Sequence, residues 1–262
     1  MEIIRSRQNA QIKRLRALFS GNAEDAALAV VEGEHLVQEA LRSGVQVREI
    51  FLREDAAEKF STLLRGLAAE IAVHVASADV FDSAVGVASP QGIAAVVAVP
   101  SHGLGAALSA GASLLVVLDG VQDPGNVGAI LRSAEAFGAS AVVTLPGTAN
   151  AWGLKAIRAS AGSIFRLPVF ALQEDAAESL VRRYKLHAVG AVASSGVAPG
   201  EVNWQQPTAL LIGSEGAGLS QRWLALAESR VTLRTSGAVE SLNAAIAASL
   251  LLYEASKARG IS

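Results

Sequence analysis

The sequence predicts an α/β fold in two parts, and three observations carry that reading. Apolar runs of five to eight residues alternate along the chain with longer segments of helical period. Hydrophobic residues make up 51% of the 262 positions and charged ones 18%, enough to fill buried layers. The alternation lapses once, in the Gly-, Ser- and Ala-rich stretch 100–113, and then restarts. The expected division is a smaller part at 1–105 and a larger one at 112–262.

The first segment, "MEIIRSRQNAQIKRLRALFS", lacks the apolar core of a secretion signal and reads as the first helix. It carries Arg5, Arg7, Lys13, Arg14 and Arg16 against Glu2, either a solvated basic face or an arm that contacts phosphates. "LAVVEG" (28–33) reads as a strand and "EHLVQEALRSG" (34–44) as a helix closed by Gly44. "VREIFL" (47–52) is a strand, "AAEKFSTLLRGLAAE" (56–70) a helix and "IAVHVA" (71–76) a strand. "SADVFDSA" (77–84) makes a short helix with Ser77 as cap, and "GIAAVVAV" (92–99) closes the first part.

The second part begins with the strand "LLVVLD" (114–119), the turn Asp123-Pro124-Gly125-Asn126 and a helix over 127–137 ended by Gly138. "AVVTLP" (141–146) completes a βαβ unit, whose crossover is right-handed by rule. A helix near 154–161 leads to "RLPVF", and one near 175–184 leads to "LHAVGAVA". "TALLIGSEGAGLS" (208–220) is a strand entering a Gly-rich loop. "VTLRT", the loop "SGAVE" and a helix from Ser241 to about Arg259 end the chain.

Composition removes several classes. There is no Cys, so no disulfide scaffold and no thiolate chemistry, in keeping with a reducing compartment. No apolar run reaches the roughly 18 residues that span a bilayer, so a cytoplasmic protein without a membrane partner is expected. His35, His74, His102 and His187 are scattered singly, and no metal is expected. The net charge of −2 gives no global attraction for nucleic acid.

The loops fail the usual nucleotide tests. Gly120 and Gly125 have phosphate-loop spacing, but Asn126-Val127 stand where Lys-Ser/Thr is required. "GSEGAG" has its glycines in the wrong order for a dinucleotide fingerprint, and G-x-S-x-G is absent. What is left is a turn whose Asn126 can cap the following helix, with Arg132 above Gly128 on that helix. Arg132 fits an anion or phosphate contact, a solvent-facing position, or a salt bridge between subunits. Glu215 stands at a strand mouth, either exposed on a tight turn or facing a ligand. Ser241 or Glu240 can cap the last helix, and its small residues allow close packing on the protein's own sheet or on a second copy.

Taken together, "DPGNVGAILRSAEAFG", "LLIGSEGAGLS" and "GAVESLNAAIAASLLLYEA", in that order, resemble the three motifs of the SpoU (TrmH) family of RNA ribose 2′-O-methyltransferases, within the SPOUT superfamily. "RASAGSIFRLP" (158–168) is similar to a lesser signature between them, and "SRQNAQIKRLRAL" and "VVEGEHLVQEAL" resemble the small substrate-binding domain of rRNA-modifying members. The resemblance implies a trefoil-knotted α/β methyltransferase domain behind an N-terminal α/β substrate-binding domain, S-adenosylmethionine as methyl donor, and a homodimer. It implies Asn126, Arg132, Glu215, Ser241 and Asn243 as the functional polar set. It implies Thr144, Gly213, Ser214, Gly218, Leu233 and Leu242 at the cofactor. RNA contacts are expected from Arg5, Arg7, Lys13, Arg14, Arg158 and Arg166.

Because a guanidinium is almost never neutral, Arg132 is expected to bind phosphate and stabilise the forming alkoxide. Asn126 would orient it, and Glu215 would fix the arginine or the loop. Leu233-Arg234-Thr235 stands where members carry Ile-Pro-Met, which bears on cofactor affinity. Ribosomal RNA is favoured over transfer RNA as substrate, and a catalytically inactive RNA-binding assembly factor is the other alternative.

Overall fold

The computed structural model describes residues 2–21, 27–108, 113–237 and 241–261. It divides into two compact units, 1–101 with 152–154, and 102–151 with 155–262.

The first unit holds β1 (Ile3–Ile4), α1 (Ala10–Phe19), β2 (Leu28–Glu32), α2 (Glu34–Ser43) and β3 (Val47–Arg53), then α3 (Ser61–Arg65), β4 (Ala72–Ala76), α4 (Ala78–Val85) and β5 (Ile93–Ala98). Among the described residues its sheet runs β1-β4-β3-β5-β2, with β5 antiparallel to both neighbours and the rest parallel. Its core gathers Ile12, Leu15, Val30, Phe51, Phe81 and Val96.

Three expectations change here. The first helix starts only at Ala10, where the Asn9 side chain accepts the Gln11 amide at 2.9 Å, because Ile3–Ile4 pair with β4 as a strand. The long helix expected over 56–70 shrinks to a turn at Glu54–Ala56 and the five-residue α3, which Gly66 ends. A glycine inside a helix costs about 1 kcal/mol. Ser77 holds the cap position of α4, but its hydroxyl bonds Asp79 at 2.8 Å and no helix amide.

The second unit holds α5 (Leu104–Leu108), β6 (Leu114–Asp119), α6 (Pro124–Ala136), β7 (Ala141–Thr144), α7 (Leu154–Ser160), β8 (Val169–Ala171) and α8 (Glu174–Arg183). It continues with β9 (His187–Ala191), β10 (Thr208–Gly213), α9 (Gln221–Leu226), β11 (Ser229–Val231) and α10 (Ala244–Ala258). Among the described residues the sheet is wholly parallel, in the order β11-β9-β10-β6-β7-β8. The two central strands, β6 and β10, are buried from end to end, which is why both read as continuous apolar runs. They end in register, Asp119 beside Gly213. That places the loops after both strands at one edge of the sheet, where open parallel sheets bind ligands.

The stretch that reads as a boundary is part of this unit: Leu108 of α5 is buried in its core with Leu115, Val117, Leu211 and Trp223. Residues 109–112 of that stretch lie outside the described residues, as do 238–240 of the loop "SGAVE".

Candidate active site at the carboxyl edge of the parallel sheet

Three chain segments meet here: the turn between β6 and α6, the loop 213–220 after β10, and the approach to α10. Asp123 caps α6, its Oδ1 accepting the Gly125 amide at 2.8 Å, with Pro124 preset for the first helical position. Asn126 is therefore not the cap but a first-turn residue, and its side chain is released for tertiary contact. Its Nδ2 donates to Glu215 Oε1 at 2.7 Å, and its Oδ1 accepts from Asn243 Nδ2 at 3.0 Å. Asn243, rather than Ser241, caps α10, its Oδ1 accepting the Ala245 and Ile246 amides at 2.9 and 3.2 Å. Glu240, the other expected cap, lies outside the described residues.

The direction of this chain is forced. The α10 amides require an acceptor, so Asn243 turns its oxygen to them and its NH2 to Asn126. Asn126 must then answer with its own oxygen and point its NH2 at Glu215, whose other oxygen accepts the Gln122 amide at 3.3 Å. Burial opposes charge on Glu215. Hydrogen bonds from Asn126 and from the backbone amides of Glu215, Gln122 and Asp123 outweigh it and hold the carboxyl below its ordinary pKa.

Arg132 is not held by this chain, contrary to expectation. Asn126 and Glu215 satisfy each other, and Arg132 is exposed with no hydrogen bond or ion pair among the described residues. Gly128 also has another purpose than clearing space for it. A Cβ there would lie 2.3 Å from the Ala156 carbonyl and 2.5 Å from Ala159 Cβ, so this glycine lets α6 pack on α7.

The loop after β10 folds back on itself. A Cβ on Gly213 would fall 2.1 Å from the Gly218 carbonyl carbon, and Ser214 and Gly218 exchange two backbone hydrogen bonds of 3.0 Å. Beside it opens a cavity of about 490 Å³. Of the expected site residues, Gly213, Ser214, Glu215, Gly218, Leu233, Ser241 and Leu242 line it, with Ala191–Ala193, Thr235 and Leu251 also in the wall. Thr144 does not. It ends β7, and β6 stands between that strand and β10. Asn126 and Asn243 brace the wall from behind.

Sequence reasoning misses Asp119, Gln122 and Ser220. Asp119 is nearly buried, and its Oδ2 accepts the Ser220 amide at 2.7 Å. Its signal is present in the chain, since a carboxylate that ends an apolar strand must find a partner. Lys155, also overlooked, pairs with Asp123 at 2.7 Å, and with the Gly125 amide this lowers the Asp123 pKa.

The expected RNA cations are largely engaged. Arg5 pairs with Glu54 at 3.2 Å, Arg7 with Asp79 at 3.5 Å and Arg14 with Glu49, all in the first unit. Arg166 is clamped by Glu135 at 2.5 and 2.9 Å. Lys13 and Arg158 are exposed on α1 and α7. Exposed pairs are worth at most about 1 kcal/mol, so they blunt the basic segment without sealing it.

Beyond the cavity α6 and α10 run side by side: Ser133 and Ser249 share a hydrogen bond of 2.6 Å, and Phe137 meets Tyr253 edge-on at 5.6 Å. The outward face of α10 exposes Ile246, Leu250 and Tyr253 by 53%, 43% and 43%, an apolar stripe at helical spacing. Among the described residues no helix is long and apolar enough to cross a membrane, and no acidic, His or Cys cluster could hold a metal ion.

Comparison with known proteins follows the same division. The SpoU rRNA Methylase family model matches residues 113–253, and the model for RNA 2′-O ribose methyltransferase substrate binding matches 30–102. The 23S rRNA (guanosine(2553)-2′-O)-methyltransferase RlmP of Bacillus subtilis is 32% identical over 254 residues, covering 97% of this chain and 98% of that one. The crystal structure of the SpoU methyltransferase AviRb from Streptomyces viridochromogenes, in complex with the cofactor AdoMet, superposes with a TM-score of 0.87 at 29% identity, over 97% of this chain and 99% of that one. An AdoMet-bound rRNA methyltransferase from Sinorhizobium meliloti gives 0.81 at 25% identity, covering 98% and 97%.

Proposed function

Because this chain belongs to the SpoU rRNA methylase family, we propose that it transfers a methyl group from S-adenosylmethionine to a ribose 2′-hydroxyl of RNA at the carboxyl edge of its parallel sheet. The observation that carries the reading is the convergence of three loops, tied by Glu215, Asn126 and Asn243, on one cavity. The cavity suits the donor. Its volume of about 490 Å³ falls in the range of small-ligand pockets. Apolar Leu233, Leu242 and Leu251 give an adenine ring its walls, and backbone made accessible by Gly213 and Gly218 gives polar edges their partners.

The donor, when bound, supplies a methyl group on a positively charged sulfur. The chain's residues must then bring the ribose oxygen in line and meet the negative charge that grows on it. Glu215 is a weak proton acceptor, since both its oxygens are hydrogen-bonded and its pKa is lowered. Arg132 carries the complementary role: exposed and unengaged among the described residues, it binds the adjoining phosphate and stabilises the alkoxide. Arg132→Ala is expected to lower turnover at least about 100-fold, the scale of losing one transition-state stabiliser. Binding of S-adenosylhomocysteine by titration calorimetry should stay within about threefold. Unchanged turnover would remove Arg132 from the mechanism.

Ribosomal RNA is the substrate we favour over transfer RNA, supported by the substrate-binding match at 30–102 and by the rRNA-modifying relative that matches end to end. Such relatives also support a cytoplasmic setting. Against an inactive assembly factor stands the polar set Asn126, Arg132, Glu215, Ser241 and Asn243, present in full. A homodimer is supported by the stripe Ile246, Leu250 and Tyr253, which a second copy would cover. The trefoil knot is supported by β10 lying between β6 and β9 while the last helix returns beside α6. Mapping 2′-O-methyl sites in cells with and without the gene tests the substrate, and analytical ultracentrifugation of Leu250→Glu tests the dimer.

A further inference from the structure

We propose that Asp119 is a positioning residue for the methyl-donor cavity, acting as a buried latch on the root of the loop 213–220; this rests on the reading of that cavity given above. Asp119 closes β6, in register with Gly213, the last residue of β10, so its side chain starts level with the point where the loop departs. It is 9% exposed. A carboxylate in such a place is costly unless a strong donor meets it. The donor is the backbone amide of Ser220, 2.7 Å from Oδ2, at the far end of the same loop. Asp119 therefore measures the loop's span, from Gly213 beside its own backbone to Ser220 at its carboxylate.

Between those anchors lie Ser214, Glu215, Gly218 and Leu219, all in the cavity wall. The loop's tip is tied separately, by Asn126 and the Gln122 amide to Glu215, and that tie is exposed to solvent. The two ties differ in kind. The tip bonds couple the loop to the neighbouring helices, whereas the root bond fixes where the loop returns and hence the width of the pocket. Without it, the loop is held at its root by the Ser214–Gly218 backbone pair alone. Asp119 touches neither donor nor RNA in this scheme; it acts through the loop, so its loss should appear in donor binding and not in the chemical step.

Four variants test this. Asp119→Ala removes the acceptor. Asp119→Asn keeps an acceptor oxygen. Ser220→Pro removes the donor while leaving Asp119 in place, at a residue whose φ of −62° suits proline. Ser220→Ala is the control, because it keeps the amide and its hydroxyl caps nothing in α9. Titration with S-adenosylhomocysteine should show about tenfold weaker binding for Asp119→Ala and Ser220→Pro, the double variant no worse than the weaker single, and Asp119→Asn and Ser220→Ala within about threefold of wild type. KM for S-adenosylmethionine should rise in step while kcat at saturation stays within about threefold. Hydrogen exchange across 214–220 in the ligand-free protein should quicken in the two disruptive variants.

Equal binding and exchange in both would overturn the latch, as would a fall in kcat at unchanged affinity. If Asp119→Ala fails to fold, Ser220→Pro decides alone. Wild-type protein that binds no donor product would count against the cavity's assignment, while the exchange measurement would still judge the latch.

Discussion

Two helices begin at the site, and the difference between their first residues sets the wiring between them. Both α6 and α10 are capped by a short Asx side chain that accepts a helix amide two residues on, at 2.8 Å for Asp123 and 2.9 Å for Asn243. As caps they are equivalent, each worth about 1 kcal/mol. They differ in the atom left over. Asp123 has a second oxygen and a charge, so its further partner is a cation, Lys155. Asn243 has an NH2 group, so it can hand a donor to Asn126 and through it to Glu215. A cap chosen for its acceptor thus decides, through its other atom, whether the helix start ends in solvent or joins a chain across three loops.

The largest break in this comparison is Asn243→Ala, which deletes cap and donor together. Turnover should fall about 100-fold or more, and stability by about 1–2 kcal/mol in urea unfolding. Asn243→Asp sharpens it by keeping the cap and losing the donor. Stability should change by less than about 0.5 kcal/mol, because a carboxylate suits a helix start. Turnover should still drop roughly tenfold, since Asn126 then faces a carboxylate on each side with one amide to offer. Lowering the pH toward the ordinary carboxylate range should restore part of it, as a protonated Asp donates. A pH-independent defect would sink that account of the relay.

Glu215→Gln tests the far end. The Glu215 pKa is lowered in the folded protein, so its charge contributes stability above the unfolded value, and that contribution disappears as pH falls through the folded one. The stability gap between wild type and Glu215→Gln, expected below about 1 kcal/mol at neutral pH, should therefore close on acidification. Asp123→Asn should do least. The cap oxygen is retained, only the exposed pair with Lys155 is lost, and melting and turnover should both change within about 0.5 kcal/mol. A large loss of turnover there would show that Lys155 has a further role.

Much of the second unit is legible in the residues themselves. The buried strands β6 and β10 announce themselves as unbroken apolar runs, and each predicted strand of the second part has its counterpart. Elements fail where a local signal is ambiguous: the amphipathic pattern at 56–70 runs through Gly66, which ends α3, and Ile3–Ile4 resemble a helix start although β4 claims them. At the site, the glycines around 213–218 suggest room for a ligand, and Gly213 has none to spare. Gly128 suggests the same for the wrong neighbour, because sequence spacing shows which residues share a helix face but not what lies against it. Motif order puts Thr144 at the cavity, and strand order moves it away.

The chain by itself settled its layer architecture, its two-part organisation, its helix-starting residues as a class and the polar types gathered at its loops, since these depend on periodicity and on the chemistry of neighbours a few positions apart. Only the folded molecule decided that Asn243 and not Ser241 caps the last helix and turns its amide to Asn126, that Asn126 answers to Glu215 rather than to Arg132, and that Asp119 reaches Ser220. Those tertiary pairs lie from 89 to 117 positions apart along the chain. Which acceptor meets which donor over such spans is fixed by the order in which parallel strands assemble, and no local pattern encodes that order.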